Sequence, residues 1–255
     1  MRASPCSARE ANDYLKGLID QRPDRYRGFA HLEMQDAQAA SDELKRCVEE
    51  LGFVGAMING QTNGVYLDDE RYVPFWERVV QLGVPVYIHP ADPYVQPYVL
   101  EGYSVMQRAV WGWSIDNSSH FLRLLFSGLF DRLPELTIIL GHMGETLPYF
   151  ARRIDSRYAA TTAPDTPRLK KKPSDYFRSN LIITTTGLCQ DSSLQCAIAE
   201  MGEDRVLFSV DYPYEDAKEA AEWIEGTPLT DDAQREKICY KNAERVLRLG
   251  ASTQA

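Results

Sequence analysis

Six short, mostly apolar runs recur along the chain, each cut off by a polar residue. They lie at residues 27–33, 53–59, 84–89, 137–141, 180–186 and 205–211. Runs of this length without strict polar alternation are buried on both faces, and such strands belong to parallel sheets. The segments between them carry the 3.6-residue spacing of amphipathic helices. Leu44, Cys47, Val48 and Leu51 share one face of 37–51, and Phe75, Trp76, Val79 and Val80 share one face of 72–82. Helical spacing also covers 8–20, 121–130, 145–158, 192–201 and 230–249. Asp36 and Thr230 stand where caps are needed, and Gly52, Gly83 and Gly202 stand where helices stop. This strand–helix rhythm predicts an α/β domain with a parallel sheet.

The residues at the strand ends narrow the choice. Asn59, His89, His142, the Thr184, Thr185 and Thr186 run, and Asp211 each terminate one. In a (β/α)₈ barrel every strand end opens onto the same mouth, so these groups would converge; in an open sheet they would be strung along an edge. Asp211 is the sharpest case. It ends the apolar run Val206, Leu207, Phe208, and Pro213 blocks further pairing two residues on. A carboxylate there is costly to desolvate unless a metal or a donor meets it. No GxGxxG or GxxxxGK[ST] comes after the first strand, which argues against a dinucleotide or nucleoside-triphosphate site. The barrel is the predicted fold.

Composition bounds the rest. With 255 residues, 44% of them hydrophobic and 25% charged, the chain suits one domain over 1–255. Neither a short-period repeat nor a linker divides it. The polar stretch 159–174, with its Lys170, Lys171, Lys172 run, reads as a solvated loop. A net charge of −9 suits neither nucleic acid nor an anionic membrane. No apolar run approaches the roughly 20 residues of a membrane span, and the first residues show no signal-peptide core. The cysteines (Cys6, Cys47, Cys189, Cys196, Cys239) are scattered without a CxxC, as expected of a reduced, cytoplasmic protein.

The segments LGFVGAMING, YLDDERYVPFWERVVQLGVPVYIHP, FSGLFDRLPELTIILGHMGETLPYFARRID, KPSDYFRSN and FSVDYPYE, in this order, resemble the amidohydrolase-related metal-dependent decarboxylases. The likeness is greatest to 2,3-dihydroxybenzoate and γ-resorcylate decarboxylases. It implies a distorted (β/α)₈ barrel of the metal-dependent hydrolase superfamily with one divalent ion, Zn²⁺, Mn²⁺ or Mg²⁺. His89 matches a metal-ligand histidine, and Asp211 a ligand that also carries the proton. His142 matches a histidine that hydrogen-bonds substrate or the aspartate, and Glu145 a residue that orients His142 or Arg153. Arg153 matches an arginine that fixes the active-site end of its helix, often near a subunit interface. Asn59 matches a polar residue near the substrate hydroxyls. Trp111, Trp113 and Tyr214 are candidates to wall an aromatic pocket, with core packing the competing reading.

The implied reaction is non-oxidative decarboxylation of a hydroxybenzoic acid such as 2,3- or 2,6-dihydroxybenzoate, a small aromatic acid, by a homo-oligomer (dimer or tetramer). The family opens with a Glu-x-His strand supplying two further ligands, and this sequence has no match to it; His31 and Glu33 sit on the wrong strand in the wrong order. His31 and His120 read as structural. Six strands are therefore expected instead of eight, with two βα units missing, on the order of 60–70 residues. Such an N-terminally truncated chain is expected to bind its ion weakly or not at all. A hydrolase acting on a lactone or amide, and a non-catalytic fragment that associates with full-length subunits, remain the alternative classes.

Overall fold

The computed structural model describes residues 5–250; residues 1–4, 251–255 and the side chains of Pro5, Cys6 and Ser7 lie outside that description. The elements run α1 (Pro5–Ile19), β1 (Ala30–His31), α2 (Ala37–Glu49), β2 (Ala56–Asn59), α3 (Val73–Leu82), β3 (Val86–His89), α4 (Gly112–Phe126), α5 (Leu129–Arg132) and β4 (Ile138–Leu140). Next come α6 (Leu147–Ala160), α7 (Pro173–Asn180), β5 (Leu181–Thr184), α8 (Asp191–Met201), β6 (Val206–Leu207), α9 (Ala217–Gly226) and α10 (Asp232–Glu236). A π-helical stretch, Lys237–Lys241, joins α10 to α11 (Asn242–Val246).

The six strands pair in parallel in the order β1-β2-β3-β4-β5-β6. A doubly wound sheet reverses direction at a switch point; this one never does, so each crossover advances one strand the same way, as in a barrel. Side-chain alternation divides the core accordingly. Ala56, Ile58, Val86, Ile88, Ile138, Leu140, Leu181 and Ile183 point outward into the large core beneath the helices. Tyr87, Ile139, Ile182 and Leu207 point inward, packed with Phe29, Met57, Ala243, Val246 and Leu247. Met57, Tyr87, Ile139 and Ile182 are register partners across four strands and form one interior layer.

The caps and stops act as expected, with one change. Asp36 accepts hydrogen bonds from the Gln38 and Ala39 amides, and Gly83 ends α3 in the left-handed region. At the last helix the cap is Asp231 instead of Thr230: its carboxylate and the Gln234 side chain form a reciprocal capping box, which a threonine one residue earlier cannot reach. The helix expected at 121–130 begins at Gly112 and breaks after Phe126, with Gly128 left-handed. Helices α7 and α9 lie where the sequence pattern predicts none. The strand β1 is shorter than expected, and Asn12 of α1 covers its edge: the side-chain amide accepts from the His31 N–H (2.8 Å) and donates to the His31 carbonyl (3.0 Å), as a neighbouring strand would. His31 is thus held through its backbone. Among the described residues no helix is long and apolar enough to cross a membrane.

His120, wholly buried on α4, accepts a hydrogen bond at Nε2 from the Leu67 amide (3.0 Å). Burial, helped by the Arg123 charge, pushes its pKa down to about 3. The unfolded imidazole titrates near 6.5, so below that pH the unfolded chain binds a proton that the folded chain refuses. This contribution to stability is therefore complete near neutral pH and declines as pH falls from the unfolded value toward the folded one. Between pH 7 and 5 it should cost about 2 kcal/mol. Urea denaturation of wild type and His120→Gln at both pH values checks this, the variant being expected to show the shallower loss.

Candidate active site

The strands are parallel, so the residues that follow β3, β4 and β6 lie toward the same end of the sheet, and there the side chains of His142 and Asp211 face each other. Leaving β4, the chain enters an unusual turn in which His142 (φ 49), Met143 (φ 54), Gly144 (φ 72) and Glu145 (φ 59) are consecutively left-handed. Each non-glycine residue there costs about 1 kcal/mol or more, and such strain persists where a side chain must be aimed. The turn folds Glu145 back onto His142, whose Nδ1 lies 2.8 Å from Glu145 Oε1. That carboxylate is 1% exposed. It also accepts from Asn117 Nδ2 (3.2 Å), and the same amide group reaches the Ile88 carbonyl at 3.3 Å. Asn117, buried on α4, thus ties the end of β3 to the turn after β4.

The other imidazole nitrogen faces Asp211. His142 Nε2 lies 3.8 Å from Asp211 Oδ2, too long for a hydrogen bond, so the carboxylate acts through its charge. Burial alone would push the His142 pKa down; the hydrogen bond and charge of Glu145, with the charge of Asp211, outweigh it and raise it above the ordinary histidine value. Asp211 is itself in the left-handed region (φ 86), and the Tyr212–Pro213 bond after it is cis. Gly187, beyond β5, completes the wall: a Cβ there would stand 3.1 Å from His142 Cδ2 and 3.5 Å from Asp211 Oδ2. Gly141 has a similar reason to lack a side chain, since its Cβ would come within 2.6 Å of the Tyr87 hydroxyl.

His89 shares the inward phase of Tyr87 and pairs in register with Asn59. Its Nδ1 lies 2.7 Å from the Pro90 carbonyl; donation there leaves Nε2 with a free lone pair, the state a metal-binding histidine needs. Asp211 offers a second donor. Among the described residues, however, no group of three or more His, Cys, Asp or Glu side chains gathers to hold an ion. A divalent cation needs about four or more ligands, so the described donors do not by themselves make up a metal site.

Three expected residues stand elsewhere. Arg153 is exposed on the outer side of α6, lining a shallow cavity with Tyr149, Phe150, Arg152, Ser156 and Arg157. Leu147, Pro148 and Ala151 form the inward face of α6, which turns Arg153 away from His142. Tyr214 is 86% exposed after the Asp211 turn and walls nothing among the described residues. Trp111 lines an outer cavity of about 320 Å³ with Tyr66, Val95 and Ile115. The aromatic ring near His89 is Trp113, 6.4 Å away edge-on, anchored by its Nε1 to Asp92 Oδ1 at 2.8 Å. Asn117 and Tyr87 carry no sequence signal beyond helical and strand position, because their roles depend on which elements become neighbours.

A singly wound α/β barrel sheet with titratable side chains at its C-terminal strand ends is an architecture of enzymes, whose catalytic residues stand at that face. The amidohydrolase family model matches residues 2–249, and the chain belongs to that family. A γ-resorcylate decarboxylase of Polaromonas sp. (strain JS666) is 45% identical over 251 residues, covering 95% of this chain and 76% of the relative. The crystal structure of a 2,6-dihydroxybenzoate decarboxylase in complex with 2,6-dihydroxybenzoate superposes with a TM-score of 0.91 at 44% identity, over 96% of this chain and 78% of that one. A dihydroxybenzoic acid decarboxylase from Polaromonas sp. JS666, solved with manganese and the inhibitor 2-nitroresorcinol, also gives 0.91, at 45% identity, over 96% and 76%.

Proposed function

We propose that this protein is a non-oxidative decarboxylase of hydroxybenzoic acids, with 2,6-dihydroxybenzoate as the first substrate to test. The observation that carries the reading is the Glu145–His142–Asp211 chain at the mouth of the sheet. The γ-resorcylate decarboxylases that match 95% of this chain support it. The reaction replaces the ring-to-carboxylate bond with a ring-to-hydrogen bond. A proton must reach the ring carbon that bears the carboxylate; the C–C electron pair then returns to the ring as CO₂ leaves. His142 is built to hold that proton near neutral pH, since Glu145 fixes its Nδ1 and favours the charged ring. Asp211, beside Nε2, delivers it. Run backwards, the same residues remove a ring proton as CO₂ adds beside a phenolic oxygen.

The ion seen in the manganese-bound relative would serve to polarise the substrate oxygens. With two donors, His89 and Asp211, among the described residues, this chain should hold manganese weakly. The test is one experiment with two readouts. Dialysed protein is assayed for bound metal and for CO₂ release from 2,6-dihydroxybenzoate with and without added Mn²⁺. Low metal content and turnover that climbs with added Mn²⁺ are expected. A stoichiometric ion surviving dialysis would overturn the weak-binding reading, and no CO₂ at any Mn²⁺ concentration would overturn the decarboxylase reading.

A further inference from the structure

We propose that Thr185 is a positioning residue: its hydroxyl replaces a rung of the β5–β6 ladder and so holds the segment that presents Asp211. The proposal rests on the reading of Asp211 as the group that delivers the proton.

The regular ladder between these strands runs out early. The Thr185 amide donates to the Leu207 carbonyl (3.0 Å), and in a continuing parallel ladder the Ser209 amide would next donate to the Thr185 carbonyl. That carbonyl is already taken by the Leu188 amide (2.9 Å), which turns the chain after β5. The Thr185 hydroxyl fills the gap. It accepts from the Ser209 amide at 2.9 Å and donates to the Ser209 carbonyl at 2.7 Å, satisfying both backbone groups of one residue. The next contact is displaced by one position, with the Gly187 amide on the Val210 carbonyl at 3.3 Å. Asp211 comes immediately after, in its left-handed conformation.

Thr185 is wholly buried, so water does not compete for these bonds. Its neighbours Thr184 and Thr186 bond to each other instead (2.7 Å), on the strand face that Thr185 does not share. The chain thus carries Asp211 on a two-residue extension held to the barrel by one side chain and one long amide bond. A hydroxyl on a branched Cβ suits this task, because the branch restricts χ1 and keeps the oxygen aimed.

Thr185→Val preserves shape and removes both bonds, while Thr185→Ser keeps the hydroxyl. With Mn²⁺ added and rates normalised to folded protein, the valine variant should lose about tenfold to a hundredfold in kcat, the cost of a misplaced reacting group. Its KM should change little, and serine should restore most of the rate. Crystal structures of both variants give a readout independent of turnover: valine should draw the Asp211 carboxylate away from His142, and serine should leave it in place. Should valine not fold, Thr185→Cys, a weaker donor and acceptor, should shift Asp211 the same way by less. An unchanged kcat in the valine variant, or an unmoved Asp211, would overturn the proposal. If even the wild type released no CO₂, the decarboxylase reading would fail while the variant coordinates still decided the role of Thr185.

Discussion

Asp211→Asn should lower kcat for 2,6-dihydroxybenzoate by about 10²–10⁴-fold, the range for loss of a positioned acid–base group. Asparagine has the shape of aspartate and no carboxylate proton to give. The change also takes away the charge 3.8 Å from His142 Nε2, so less of the imidazole is protonated near neutral pH. The two effects act in the same direction. The fold should not suffer, because the Asp211 backbone is held by its own carbonyl, which accepts from the Tyr214 amide at 2.8 Å, and by the neighbouring segment. Steady-state rates with saturating Mn²⁺, alongside thermal denaturation, separate the outcomes. A variant that keeps near-wild-type turnover would remove Asp211 from the chemistry and shift the role to His142 alone.

The largest stability effect is expected at Phe121, in the large core beneath the helices. This α4 ring has no exposed surface and lies 5.4 Å from the Phe130 ring and 5.8 Å from the Phe177 ring. It joins α4, α5 and α7 into one layer outside the sheet. Phe121→Ala should cost about 3–5 kcal/mol, the lost transfer energy plus that of a cavity these large neighbours cannot close. Phe150→Ala, on the outer side of α6 and 40% exposed, is the control and should cost little. Urea denaturation of both variants provides the comparison. Equal losses would mean that the outer layer is not packed as described.

Much of the framework was legible because burial imposes a pattern on residue types. All six strands occur where apolar runs end in polar residues, and the polar ends on β3, β4 and β6 lead to His89, His142 and Asp211. The elements that escaped were short helices whose stability comes from packing more than from local preference. In α7, Tyr176 and Phe177 are almost fully buried against distant parts of the chain. The start of α4 escaped because Gly112, Trp113 and Ser114 carry no helix-start signal, and the N-cap residue, Trp111, makes no side-chain cap bond.

The site divides along the same line. Residue types at strand ends were enough to single out His142 and Asp211, because costly buried polar groups betray themselves in an apolar context; Glu145 came only with the family resemblance. Which aromatic ring stands near His89, that Arg153 faces solvent, and that Asn117 and Thr185 brace the charged residues were decided only when the elements packed. Local sequence determines the type and period of each element and so which face is apolar. The partners of a buried hydrogen bond are set by the register and crossing of elements far apart in the chain, and no single stretch encodes those.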